Sequence, residues 1–154
     1  MATLILISCS ATKRTTPKAP LAAIERYDGV FFRVLRKARR EGRLSPSITL
    51  VILSAKYGLL APTTRIGHYE QRMHRDRIPE LHLSVQKKLR GILRRRRFKA
   101  VYVNLGCDYA PLVAGIAEID RAIWATGGIG TRAQSLKTWL TTESNSVKLT
   151  KARA

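Results

Sequence analysis

Four short apolar runs are distributed along the chain, at residues 3–8, 48–53, 100–104 and 121–125. Each has five or six residues and is followed by small polar residues. Their apolarity is nearly continuous rather than alternating, which is typical of strands that are buried on both faces of a parallel sheet. The pattern therefore predicts four central strands.

Amphipathic segments lie between these runs. In segments 29–41 and 78–97, apolar residues recur with a helical period and basic residues occupy the opposite face. Segments 109–118 and 131–142 are two further predicted helices. Strands that alternate with helices indicate βαβ units. The predicted fold is α/β, a three-layer sandwich with a mainly parallel, four-stranded central sheet.

The periodic pattern also sets the expected domain organisation. Residues 1–142 are predicted to form a single α/β catalytic domain, and the polar, basic segment 143–154 is predicted to be a flexible tail. Residues 55–76 show no clear periodicity. Because long irregular loops inside compact domains are often functional, this segment is a candidate part of the site.

The charge of the chain points to its partner. Lys and Arg total 29 against 10 Asp and Glu, so the net charge is +19 among 154 residues. Apolar residues make up 45% of the chain, enough for a core, which argues against disorder. A compact body this positive repels itself, and a polyanion relieves the repulsion. Nucleic acid is the expected partner. A membrane is not, because no run approaches the roughly 18 apolar residues of a spanning helix.

The two cysteines and three histidines suggest neither a disulfide framework nor a zinc site, because their spacing fits neither. No metal and no cofactor are therefore expected. Residues 1–8 lack the basic start and the length of a signal peptide, so a cytoplasmic protein with reduced thiols is expected. A monomer is expected as well.

The candidate site is the edge of the sheet where the strands end, because open parallel sheets bind ligands there. Candidate substrate-binding residues are Cys9, Ser10, Ser54, Lys56, Tyr57, Tyr69, Glu70, Gly127, Gly128 and Ile129. Tyr57 or Tyr69 can stack on an unpaired base. Gly127 and Gly128, at a helix start, can bind a phosphate. The alternatives are loop packing for the tyrosines, a flexible turn for the glycines and, favoured for Cys9, a small buried hydrophobe.

Three residues are the candidates for chemistry, namely Asn104, Asp108 and Lys13. Asn104 ends the third predicted strand and Asp108 follows it, so either can position or activate a water molecule. Asp108 is equally well explained as a helix cap. Lys13 can stabilise a departing base. The arginines predicted to contact the DNA backbone are Arg65, Arg72, Arg75, Arg90, Arg94 and Arg132. A solvated surface is the alternative for them.

Two separated motifs carry a resemblance to a known family. Cys-Ser-Ala-Thr-Lys at 9–13 follows the first predicted strand, and Leu-Ser-Ala-Lys-Tyr-Gly-Leu-Leu at 53–60 follows the second, with Tyr69 in the next loop. The order resembles that of a family of small bacterial proteins similar in fold to uracil-DNA glycosylases and to a domain of archaeosine synthase. The resemblance covers about residues 3–140. The uracil-glycosylase motifs Gly-Gln-Asp-Pro-Tyr and His-Pro-Ser-Pro are absent, so the fold transfers better than the catalytic residues.

The resemblance implies a DNA glycosylase in antiviral defence. Such an enzyme flips a modified base out of double-stranded phage DNA and excises it, leaving an abasic site. The implied base is a bulky cytosine derivative, glucosylated hydroxymethylcytosine. Two alternatives stay open: an RNA-base-modifying enzyme related to archaeosine synthase, and a nucleic-acid-binding protein without catalysis.

Overall fold

Helices and strands alternate along the chain in the computed structural model, which describes residues 2–153. Their order is β1 (Ala2–Ser8), β2 (Leu21–Ala22), α1 (Ala23–Arg26), α2 (Val30–Arg40), β3 (Ile48–Ser54), β4 (Gly58–Leu60), β5 (Arg65–Ile66), α3 (Arg77–Arg95), β6 (Phe98–Asn104), α4 (Ala117–Asp120), β7 (Ile123–Trp124) and α5 (Ile129–Arg153). A 3₁₀ turn at Ala110–Leu112 lies between β6 and α4.

The central sheet has five strands in the order β4-β3-β1-β6-β7. β1 pairs in parallel with β3 and β6, and β6 pairs in parallel with β7. The predicted mainly parallel α/β sheet is confirmed. The predicted count of four strands is wrong, because β4 turns back after β3 as an antiparallel edge strand. Gly58 has a φ of +72° at this turn, a conformation that glycine adopts without strain.

Helices cover both faces of the sheet. Along β1, Leu4 and Leu6 pack in a cluster with α3, whereas Ile5 and Ile7 pack in a cluster with α2 and α5. Every residue of β1 is buried. The continuous apolarity of the central strands thus has a direct cause, since successive side chains enter two different cores.

Two predicted elements are corrected by the structure. The helix expected over 109–118 is broken into the 3₁₀ turn and α4, because Gly115 takes a φ of +79°, outside the helical region. The strand expected over 121–125 is reduced to the two residues of β7.

The last helix extends beyond its predicted end. α5 continues past the domain boundary expected at residue 142 and runs to Arg153. Glu143 ties it to the sheet, since its carboxylate accepts a hydrogen bond from Thr3 at 3.0 Å and pairs with Lys99 at 3.1 Å. The expected boundary therefore falls inside a helix. Over the described residues, none of the helices has both the length and the apolarity to cross a membrane.

Candidate functional site

An open cleft of about 540 Å³ lies at the carboxyl edge of the sheet. Its walls come from residues 9–13 after β1, residues 70–73 of the irregular loop, and Asp108 and Tyr109 after β6. This is the edge at which the strand pattern predicted a ligand site. Three segments that are far apart in sequence meet here because β1 and β6 are parallel neighbours.

The wall that follows β1 is held in place by a buried arginine. Arg26 is fully buried and donates hydrogen bonds to the carbonyl oxygens of Arg14, Pro17 and Ala19 at 2.7 to 3.0 Å. Satisfying the guanidinium with three carbonyls of one loop offsets the cost of burying it and fixes the path of that loop. Ser10 lies so close to Gly29 that any side chain at Gly29 would collide with it.

A cluster of hydroxyl groups lies at the ends of β1 and β3. The Tyr69 hydroxyl bonds to Ser54 Oγ at 2.9 Å and to the Tyr27 hydroxyl. Cys9 Sγ lies 3.1 Å from the Tyr109 hydroxyl. Burial, reinforced by the nearby Cys9 thiol, raises the pKa of Tyr69 to about 12 and raises the pKa of Tyr27 and of Tyr109 as well. At neutral pH these phenols keep their protons and can act as hydrogen-bond donors.

Two lysines share the ring of Tyr69. Lys13 Nζ lies 4.5 Å from the ring centroid and Lys56 Nζ lies 5.3 Å from it. Lys56 is also 5.2 Å from the ring of Tyr57. Across the described part of the chain, neither ammonium group forms an ion pair with a carboxylate. Lys13 lines the cleft, whereas Lys56 does not. An ammonium group without a carboxylate partner can bind an anionic group of a ligand.

The cleft carries two carboxylates, those of Glu70 and Asp108. Both side chains are exposed, and Glu70 lies 3.6 Å from His68 Nε2. The helix-cap alternative for Asp108 is not what the structure shows, because Tyr109 is the cap residue of the 3₁₀ turn and no side chain caps it. Because both carboxylates are exposed, a ligand or a water molecule in the cleft can reach them.

A third carboxylate, that of Asp28 just before α2, is engaged in ion pairs. Its carboxylate pairs with Arg33 at 3.3 Å and with Arg36. Partial desolvation opposes ionisation, but the two guanidinium groups outweigh it and hold the pKa of Asp28 below its usual value. Asp28 thus anchors the start of α2.

Asn104 lies beneath Arg132 rather than on the wall of the cleft. The side chain is fully buried, and its Oδ1 accepts hydrogen bonds from Arg132 Nε at 2.8 Å and Nη2 at 2.5 Å. Asn104 Nδ2 has no partner within the described residues. Arg132 also lies 5.1 Å from the ring of Phe31. Arg132 would have to move before Asn104 could contact a ligand.

The glycine turn lies at the start of α5. Gly127 takes a φ of +89°, and the Gly128 carbonyl accepts the Arg132 amide at 2.9 Å, as the first bond of the helix. Ile129 is exposed. None of the three glycine-turn residues Gly127, Gly128 and Ile129 lines the cleft. Phosphate binding at this turn stays a prediction.

The predicted DNA-contacting arginines are spread over the molecule. Arg72 lines the cleft and Arg75 is exposed three residues later. Arg65, on β5, donates to the Pro20 carbonyl at 2.7 Å. Arg90 and Arg94 are exposed on α3, which leads away from the cleft. Of the six, the structure places Arg72 on the cleft wall.

A sequence model of DUF6884, described as a family of unknown function, matches residues 4–138. The chain belongs to this family. The match runs from β1 into α5 and includes the whole wall of the cleft. No curated protein and no solved structure matches the chain.

In this DUF6884 protein, sequence reasoning missed Tyr27 and Tyr109 as site residues. Tyr27 is buried and bonds to Tyr69, which is 42 positions away, so no local spacing reveals the contact. Tyr109 follows Asp108 directly and lines the cleft. An aromatic residue placed just after a strand end is the signal that could have identified it.

Proposed function

We propose that this protein is a DNA glycosylase that excises a modified base in the cleft at the carboxyl edge of the sheet. One observation carries the proposal. The cleft places two exposed carboxylates, Glu70 and Asp108, beside the unpaired ammonium group of Lys13 in a molecule with a net charge of +19. A carboxylate that activates water and a cation that stabilises a leaving base are the groups that glycosidic cleavage needs.

The nucleotide would be held by Lys56 and one tyrosine. Lys56 can bind the phosphate of the extruded nucleotide, because it forms no ion pair with a carboxylate of the described chain. Tyr57 is 38% exposed, whereas Tyr69 is 6% exposed. This difference favours Tyr57 as the ring that stacks on the base, with Tyr69 supporting it edge-on at 5.3 Å.

The reaction would be hydrolysis at the sugar carbon that carries the base. Asp108 or Glu70 accepts a proton from water as the water attacks that carbon. The carbon–nitrogen bond breaks, its electron pair leaves with the base, and Lys13 stabilises the charge that develops there. Tyr109 lines the cleft as a protonated phenol and can donate a hydrogen bond to the base. The base takes up the proton that the carboxylate removed from water, and the products are a free base and an abasic site.

The finer identity of the enzyme belongs to the same proposal. The motifs at 9–13 and 53–60 support a fold similar to that of uracil-DNA glycosylases. They also support glucosylated hydroxymethylcytosine in phage DNA as the base, and hence a role in antiviral defence. The open cleft of about 540 Å³ is within the usual range for ligand sites and suits a bulky cytosine derivative.

The decisive experiment is a base-release assay. Purified protein is incubated with duplex DNA that carries glucosylated hydroxymethylcytosine, with unmodified duplex and with structured RNA. Mass spectrometry detects the free base, and alkaline cleavage detects abasic sites. We expect release from the modified DNA alone. Release from none of them, with salt-sensitive binding to all, would leave a binding protein, and modification of RNA alone would favour the archaeosine-related alternative.

Variants then test the two carboxylates. One of the two variants, Asp108→Asn or Glu70→Gln, should lower base release by about 100-fold or more, because one of these two carboxylates activates the water. Glu118→Gln is the matched control, because Glu118 is an exposed acid on α4 outside the cleft. Full activity in both cleft variants would contradict the mechanism.

A further inference from the structure

The outer face of α3 carries a concentration of positive charge that the cleft does not use. Lys87, Arg90 and Arg94 follow one another at spacings of three and four residues, so they lie in a row along one face of the helix. Residues 94–97 are four consecutive arginines, all exposed. We call Lys87, Arg90 and residues 94–97 the distal basic patch.

The distal basic patch lacks internal neutralisation. Arg95 donates to the Gly91 carbonyl at 3.2 Å and Arg96 to Thr49 Oγ1 at 3.3 Å, and both partners are uncharged. Over the described residues, no carboxylate pairs with any member of the patch.

On the opposite layer, by contrast, most cations of α2 have a carboxylate partner. Arg33 and Arg36 pair with Asp28, and Arg39 pairs with Glu25. The basic face of α2 is thus largely satisfied within the protein. The basic face of α3 keeps its charge available for an external polyanion.

The path of α3 sets the distance between the patch and the cleft. At the start of the helix, Arg77 donates to the carbonyls of Ala55 and Lys56, beside the carboxyl ends of the strands. The helix then runs back to the opposite edge, where β6 begins. Its 19 residues cover about 28 Å, which corresponds to about eight base pairs of duplex DNA.

We propose that the distal basic patch binds the phosphate backbone of the DNA duplex whose target nucleotide lies in the cleft, with the far end of the patch about eight base pairs from that nucleotide. The inference rests on the proposed function for the position of the target nucleotide. A straight row of cations fits a linear array of phosphates better than it fits a compact anion. The patch would align the duplex along α3 without reading its sequence.

The first test measures binding alone. Fluorescence anisotropy with a labelled, unmodified duplex of about 24 base pairs, over a range of salt, reports how many phosphates are contacted. The Arg94→Glu/Arg97→Glu variant should weaken binding about tenfold or more and lower the salt slope by about two, near 0.9 for each lost contact. The matched control is Arg40→Glu/Lys137→Glu, which makes the same change in charge at exposed residues of α2 and α5.

Equal effects of the two variants would show that net charge alone matters and would overturn the proposal. The same titration with an RNA hairpin gives a second possible contradiction. If the Arg94→Glu/Arg97→Glu variant lost affinity for the hairpin but not for the duplex, the patch would bind RNA and the proposal would be overturned. Undiminished duplex binding by the patch variant would do the same. Because binding is measured without catalysis, a patch-dependent salt slope with no base release would support the patch and defeat the glycosylase.

The second test places the patch relative to the cleft. Base release is compared on a long duplex and on one with only about four base pairs on each side of the modified base, too short to reach the patch. The ratio of KM between the Arg94→Glu/Arg97→Glu variant and the wild type should be larger on the long duplex. If the KM ratio were the same on the long and the short duplex, the patch would not contact the DNA beside the modified base, and the alignment of the duplex along α3 would be wrong.

Discussion

Tyr69 connects most of the groups that form the candidate site. Its hydroxyl bonds to Ser54 and Tyr27, and the ammonium groups of Lys13 and Lys56 lie over its ring. Tyr57 meets its ring edge-on. One residue of an irregular loop thus joins the ends of β3 and α1 to Lys56 and to Lys13, which lines the cleft. A change at this single position should affect both folding and the site.

Removing the Tyr69 hydroxyl should destabilise the protein. Tyr69→Phe leaves the buried Tyr27 hydroxyl without its partner, which costs about 1–3 kcal/mol of unfolding free energy. Tyr57→Phe is the matched control, because the Tyr57 hydroxyl makes no hydrogen bond within residues 2–153 and the change should stay within about 0.5 kcal/mol. Urea unfolding of the two variants measures the difference. Equal stabilities would mean that the Tyr27–Tyr69 bond contributes nothing.

Single residues show what sequence can and cannot predict about the site. The strand ends were predictable, and residues 9–13 and Asp108 do line one cleft. The exposure of Tyr69 and of Asn104 was not predictable, because it depends on contacts with distant residues. Asn104 is covered by Arg132, 28 positions later, and nothing in the local pattern around either residue indicates that pair.

Elements are predicted well where one periodic signal dominates. The central strands and α3 were located within a few residues, because continuous apolarity and a long amphipathic stripe are each typical of one kind of element. β4 was missed, since its three residues are too few to show a period and lie within the segment 55–76 that was interpreted as an irregular loop. The prediction of a helix over 109–118 failed at Gly115, whose positive φ breaks the helix despite the apolar pattern.

Within α3, Gly91 offers a test at the scale of the element. Glycine inside a helix costs about 1 kcal/mol relative to alanine. An added Cβ would meet only the flexible end of Arg95, at 3.2 Å, which can move. Gly91→Ala should therefore raise the unfolding free energy by about 0.5–1 kcal/mol in urea titration. A lower stability would show that the contact of Arg95 across Gly91 contributes more than the helix propensity.

At the scale of the whole molecule, charge is distributed unevenly between the layers. The total of +19 could be counted from the sequence, but its distribution could not. Glu25 and Asp28 neutralise arginines beside α2, whereas Lys13, Lys56 and the distal basic patch have no carboxylate partner among the described residues. The site and the distal basic patch thus form two separate regions of unpaired positive charge, a separation that suits the proposed contacts with different parts of one DNA duplex.

The buried phenols should make the unfolding free energy of the whole protein fall at alkaline pH. In the unfolded chain tyrosines ionise near pH 10, whereas burial raises the pKa of Tyr69 to about 12 and raises those of Tyr27 and Tyr109. Between about pH 10 and 12 the unfolded state therefore binds fewer protons than the folded state, and the unfolding free energy falls as pH rises.

Because lysines titrate in the same range, the informative quantity is the difference between the wild type and Tyr69→Phe. The wild type should lose stability more steeply above about pH 10 than the variant, since the variant has no Tyr69 proton to hold. Urea unfolding between about pH 8 and pH 11 measures both slopes. Parallel curves would mean that Tyr69 ionises as readily in the folded protein as in the unfolded chain, and the buried hydroxyl cluster would then be more open to water than its hydrogen bonds indicate.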